Sequence, residues 1–123
     1  MTPAVITLLV SSSSDLECSV PPRGVTELGK VPARERVAIG NVAYKLAAVG
    51  PNLGYPHSSS VRTADNLREL RPRQGRSQWR AFYRQFGQAF VIGAIGPEAD
   101  VNGQGFGRAV RAAEARLDDV EMD

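Results

Sequence analysis

Three short stretches, Asn66 to Arg71, Gln78 to Arg84 and Ala89 to Ile95, are divided by Pro72 to Gly75 and by Gln85 to Gln88. Strand-length runs separated by turn residues predict an antiparallel meander with hairpin turns, and that sheet is the frame everything else must cover. Upstream, Ile39, Val42, Leu46 and Val49 recur at spacings of three and four, which lays one apolar stripe along a helix. Pro32 suits its first turn and Gly50-Pro51 its end. Leu28 and Val31 fit a short preceding helix, completing a helical hairpin. Asn52 to Ser60, with Gly54, Pro56 and three consecutive serines, reads as loop. Downstream, glycines 96, 103, 105 and 107 read as a flexible hinge. Phe106, Val110, Ala113, Leu117 and Val120 then share one helical face. The expected class is α+β: an N-terminal helical hairpin packed on a small antiparallel sheet, closed by a C-terminal amphipathic helix.

Residues 1–24 follow a different pattern, broken by the Ser11 to Ser14 run and by Pro21-Pro22. Val5 to Val10 and Leu16 to Val20 are both candidates for a first strand, and the pattern does not choose between them. A chain of 123 residues is one domain's worth, here 25–123 with 1–24 as an N-terminal strand or extension. The single cysteine, Cys18, excludes an internal disulfide, and no cysteine or histidine cluster suggests a metal or cofactor. Ala4 to Val10 is apolar but has no basic flank before it and is too short to span a membrane, so the expected location is the cytoplasm.

Charge is unevenly distributed. From Arg62 to Arg84 there are seven arginines, no lysine and two acids, Asp65 and Glu69, leaving 8 of the chain's 15 basic and 11 of its 13 acidic side chains elsewhere. Guanidinium groups make planar, paired contacts with phosphates and stack on bases, which points first to nucleic acid. The alternative is a solvated sheet face whose arginines pair with local acids. The acidic end, with Glu114, Asp118, Asp119, Glu121 and Asp123 against Arg116, reads as a solvated tail or as a shield folded back on the arginines.

Alternation along a strand puts Glu69, Arg71 and Arg73 on one face and Arg68 and Leu70 on the other. On the next strand Arg80, Phe82 and Arg84 oppose Trp79, Ala81 and Tyr83. Should the two arginine faces coincide, Arg71, Arg73, Arg80 and Arg84 form one concave site; Arg68 and Arg76 are further candidate RNA contacts. His57, the only histidine, is the side-chain type that exchanges protons near neutral pH, or else a loop residue making a hydrogen bond. Glu69 is a candidate base or an organiser of its arginine neighbours. Trp79 and Phe82 stack on bases or fill the core. Tyr44 and Tyr83 read as core or interface residues.

Three motifs carry a resemblance. Leu53-Gly54-Tyr55-Pro56-His57 looks like the LGxPh loop, Asn66-Leu67-Arg68-Glu69-Leu70-Arg71 like the LxELR strand, and Arg80-Ala81-Phe82-Tyr83 like the yRvlY strand of the RelE/HigB superfamily of bacterial toxins, in its HigB-like, phage-derived branch. The resemblance covers residues 25–95 and implies a RelE/ParE-like fold. It further implies the toxin of a type II toxin–antitoxin pair: a metal-independent endoribonuclease that cuts messenger RNA on the ribosome and is silenced by a cognate antitoxin, expected to be a helix-turn-helix protein. Within it Arg80 matches the yR arginine and becomes the foremost candidate for stabilising the transition state, joined by Arg71. One departure stands out. Where many relatives carry a basic stretch after the third strand, this chain has Ile95-Gly96-Pro97-Glu98-Ala99-Asp100. That departure favours a non-catalytic protein on the same fold, either a ParE-like gyrase inhibitor or a degenerate prophage product. A plain RNA-binding module is the third reading.

Overall fold

The computed structural model describes residues 6–8, 17–20, 29–87 and 89–121. Strands β1 (Ile6–Leu8) and β2 (Glu17–Val20) precede helix α1 (Ala33–Val49); β3 (Ser58–Ser60), β4 (Arg68–Leu70), β5 (Trp79–Phe86) and β6 (Ala89–Pro97) follow, and helix α2 (Gly103–Glu121) comes last. The strands form one six-stranded sheet in the order β1-β2-β6-β5-β4-β3. Neighbours are antiparallel except β2, which runs parallel to β6. The class is α+β, compatible with the fold that the resemblance implies. Among the described residues no helix is long and apolar enough to cross a membrane.

Each face of the sheet carries one helix, because β5 and β6 are apolar on both sides. On one face Ile39, Val42 and Leu46 of α1 pack against Leu70, Ala81, Tyr83, Phe90 and Ile92. On the other, Val110, Ala113 and Leu117 of α2 pack against Leu67, Phe82, Val91 and Ala94. Burying each large side chain in these layers stabilises the fold by about 1.5–3 kcal/mol. The pairing of β5 with β6 slips between Phe82↔Ala94 and Tyr83↔Ile92, so Gly93 is an extra residue on β6. There α2 lies almost on the backbone: a Cβ added at Gly93 would come within 2.8 Å of Leu117 Cγ, and one at Gly96 within 2.5 Å of Ala109 Cβ.

Several expectations change in consequence. The serine run read as loop is strand β3, because Ser58 Oγ hydrogen-bonds Tyr83 Oη at 2.6 Å and Ser59 Oγ donates to Glu69 Oε1 at 3.0 Å. Both N-terminal strand candidates contain strands. Gly103, Gly105 and Gly107 begin α2 instead of forming a hinge. Val49, assigned to the buried stripe, is exposed at the end of α1, as is Tyr44 on its outer side. The short helix expected around Leu28, first of the hairpin, lies almost wholly outside the described residues.

Candidate functional site

The arginine segment turns sharply after β4. Arg73 (φ 57°) and Gln74 (φ 60°) are left-handed, followed by Gly75 (φ 92°). A residue with a Cβ costs roughly 1–2 kcal/mol in that conformation, so something must hold the turn. Gly75 N–H donates to Arg71 O at 3.3 Å, Arg76 N–H to Arg73 O at 3.2 Å and Ser77 N–H to Pro72 O at 3.3 Å.

A larger anchor is Arg80, which is 3% exposed. Its Nη1 donates to Ser77 O at 2.7 Å and Trp79 O at 2.9 Å, and its Nη2 to Gly75 O at 3.3 Å and Glu98 Oε2 at 2.7 Å. Glu69 Oε1 lies 3.9 Å from its Nε. Burial pulls the Arg80 guanidinium below its ordinary pKa, and Glu69 pushes it back up against Arg71, with Glu98 and Asp100 adding to the upward push. Glu98, which stands where the resemblance leads one to expect a basic stretch, therefore neutralises a buried cation. That cation in turn fixes the carbonyls of the arginine turn.

Glu69 passes the linkage to Arg71, whose Nη1 lies 3.3 Å from Glu69 Oε1 and whose Nε donates to Pro56 O at 3.2 Å. The Arg71 guanidinium rests on the bare Cα of Gly75, where a Cβ would come within 2.6 Å of Nη2, and it lies 4.9 Å from the ring centroid of Tyr55. From Ser77 the turn is also tied to α1: Ser77 Oγ donates to Glu35 Oε2 at 2.8 Å, and Arg73 Nε lies 3.7 Å from the same oxygen.

Between α1 and this turn runs an open groove of about 560 Å³. His57, Arg71, Arg73 and Arg76 line one side, and α1 supplies the other with Glu35, Asn41 and Lys45. Four cations thus face one acid, and that acid is engaged by Ser77 and Arg73. The chemical capacity is that of an anion-binding cleft with an imidazole on its wall.

Four of the expected site residues, His57, Arg71, Arg73 and Arg76, meet in this groove, with Glu69 behind Arg71. The others do not. Arg80 sits inside the fold, with its donors directed at carbonyls and carboxylates. Arg84 is buried on the α2 side, where Nε donates to Asn66 O and Nη1 to Asp118 Oδ1, both at 2.9 Å. The concave site of Arg71, Arg73, Arg80 and Arg84 therefore does not form, and Arg84 does not offer an RNA contact. Phe82 is 0% exposed, with its ring against Phe106, so it fills the core and cannot stack on a base. Arg68 lies at the β3 edge, donating to Ser58, Ser60 and Tyr83. Trp79 is half-buried and borders a second groove of about 490 Å³ beside Pro97 and Arg108. Of the acidic end, Asp118 does reach an arginine, Arg84, across the sheet face covered by α2. The groove residues missed from sequence are Gln74 of the turn and those of α1. Glu35, Ala38, Asn41, Val42 and Lys45 form a strip at helical spacing, and its polar edge beside the apolar stripe was the available signal.

A family model described as Phage derived protein Gp49-like (DUF891) matches residues 26–93, more than half of the chain and every residue of the groove. No curated protein matches the chain.

Proposed function

We infer, since the chain belongs to the phage-derived Gp49-like family, a RelE-like toxin family of toxin–antitoxin systems, that it is a toxin which binds messenger RNA on the ribosome and cuts it. The observation that carries this reading is the convergence of His57, Arg71, Arg73 and Arg76 with Lys45 on one groove. Cutting RNA by acid–base chemistry requires a deprotonated 2′-hydroxyl, a protonated 5′-oxygen leaving group, and compensation of the charge on the pentavalent phosphorus. Arg73, Arg76 and Lys45 supply the charge, joined by Arg71, while His57 is the groove's proton carrier. Glu69 orients Arg71, and Arg80 acts through the turn it holds. The partners are the ribosome with its mRNA in the cytoplasm and a cognate antitoxin of the helix-turn-helix kind.

A non-catalytic toxin, such as a gyrase inhibitor on the same fold, is favoured by one observation: Arg80, the arginine expected to stabilise the transition state, is buried and engaged. Both readings predict growth arrest on induction in growing cells, and they part on whether transcripts acquire new 5′ ends during that arrest. Growth arrest is expected from the wild-type chain and is expected to disappear in the Arg73→Ala/Arg76→Ala variant at equal soluble expression. Unimpaired growth with folded wild-type protein would overturn both, and arrest that survives the double substitution would remove the groove from the account.

A further inference from the structure

We propose that Tyr55 is a seat for an unpaired nucleobase, which rests on the reading of the neighbouring groove as a phosphate cleft. Tyr55 is 75% exposed, the most exposed large hydrophobic side chain among the described residues. A lone exposed aromatic is unremarkable when its ring swings freely. This ring is positioned. The Arg71 guanidinium lies over it at 4.9 Å, and that guanidinium is itself held by Pro56 O, Glu69 and the bare Cα of Gly75. Arg71 covers one face of the ring and leaves the rest of it to solvent.

The placement matters as much as the exposure. Tyr55 stands two residues before His57 in the same loop, and Arg71 both touches its ring and lines the groove. A strand whose phosphate enters the cleft therefore passes the ring, and a base turned toward Tyr55 finds a rigid aromatic surface backed by a cation. Stacking on such a surface is tolerant of base identity, because every base presents a π face. The aromatics expected from sequence to do this are Phe82, which is core, and Trp79, which packs against the core. Tyr55 is the aromatic that stands exposed beside the phosphate cleft.

The test is binding of a short single-stranded RNA and of an abasic ribose–phosphate strand of the same length to the folded full chain, measured by fluorescence anisotropy. Wild-type protein is expected to hold the RNA more tightly than the abasic strand. Tyr55→Ala should weaken RNA binding roughly tenfold or more, the scale of one base–aromatic stack, and leave the abasic strand unchanged. Tyr55→Phe should behave as wild type, since the stack needs the ring and not the hydroxyl. RNA affinity unchanged in Tyr55→Ala would overturn the base seat while leaving the groove intact. Equal losses for both strands would also overturn it, showing that Tyr55 acts by holding Arg71. Failure of wild-type protein to bind either strand would overturn the phosphate-cleft reading and the seat with it.

Discussion

Replacing Arg80 with alanine is expected to lower stability by roughly 3–5 kcal/mol, the usual consequence of removing one partner from a buried ion pair. The side chain is almost fully enclosed, and its loss strips hydrogen bonds from Gly75 O, Ser77 O and Trp79 O while leaving Glu98 and Glu69 without their shared cation. A fold of this size has about 5–15 kcal/mol in total, so the variant should unfold at a markedly lower urea concentration. Arg80→Lys should recover only part of the loss, because an ammonium cannot span the turn carbonyls and Glu98 at once. Glu98→Ala is expected to cost less, about 1.5–3 kcal/mol, since Glu98 is partly exposed and Glu69 remains. A cycle combining Arg80→Met with Glu98→Gln should show that the two losses are not additive. A shift below about 1 kcal/mol for Arg80→Ala would contradict the role assigned to this pair and return Arg80 to the list of substrate contacts.

The second large effect belongs to the groove. Removing Lys45, Arg73 and Arg76 together as alanines should abolish measurable RNA binding at physiological salt while leaving stability within about 1 kcal/mol, because among the described residues their ion pairing is limited to the partly exposed contact of Arg73 with Glu35. The salt dependence gives the sharper reading. Each phosphate neutralised on a single strand contributes about −0.7 to the slope of log affinity against log salt, so each single substitution should make the slope shallower by about that amount. A substitution that lowers affinity with an unchanged slope would mean that its side chain does not meet phosphate.

How far the sequence revealed this arrangement depends on what each pattern reports. The meander was legible because turn residues at Pro72–Gly75 and around Gly87 punctuate runs of strand-forming residues, and punctuation is a local property. α1 and α2 were legible because their buried stripes follow helical spacing over several turns. What alternation could not say is what lies opposite each face. Arg80 and Arg84 were assigned to an open surface, as arginine normally is, yet α2 covers that side and Asp118 and Glu98 compensate the two cations from 34 and 18 residues away. Ser58–Ser60 looked like loop because serine alone favours turns, and the tyrosine that makes Ser58 a strand residue is 25 positions further on. For the groove, the arginine turn and His57 carried a compositional signal, while Glu35, Asn41 and Lys45 are ordinary residues on the polar side of a helix. Only the packing of α1 against the turn sets them opposite the arginines.

Cleavage of RNA is the decisive property of the groove. Purified full-length protein should be added to ribosomes translating a defined transcript, and 5′ ends mapped by primer extension beside His57→Ala and the Arg73→Ala/Arg76→Ala variant. The expected result is new 5′ ends inside translated codons with wild-type protein, reduced by about two orders of magnitude in His57→Ala, on the scale of general acid–base catalysis, and lost in the arginine variant. Intact transcripts under conditions where the same folded protein arrests growth would contradict the ribonuclease reading and assign the groove to a different target.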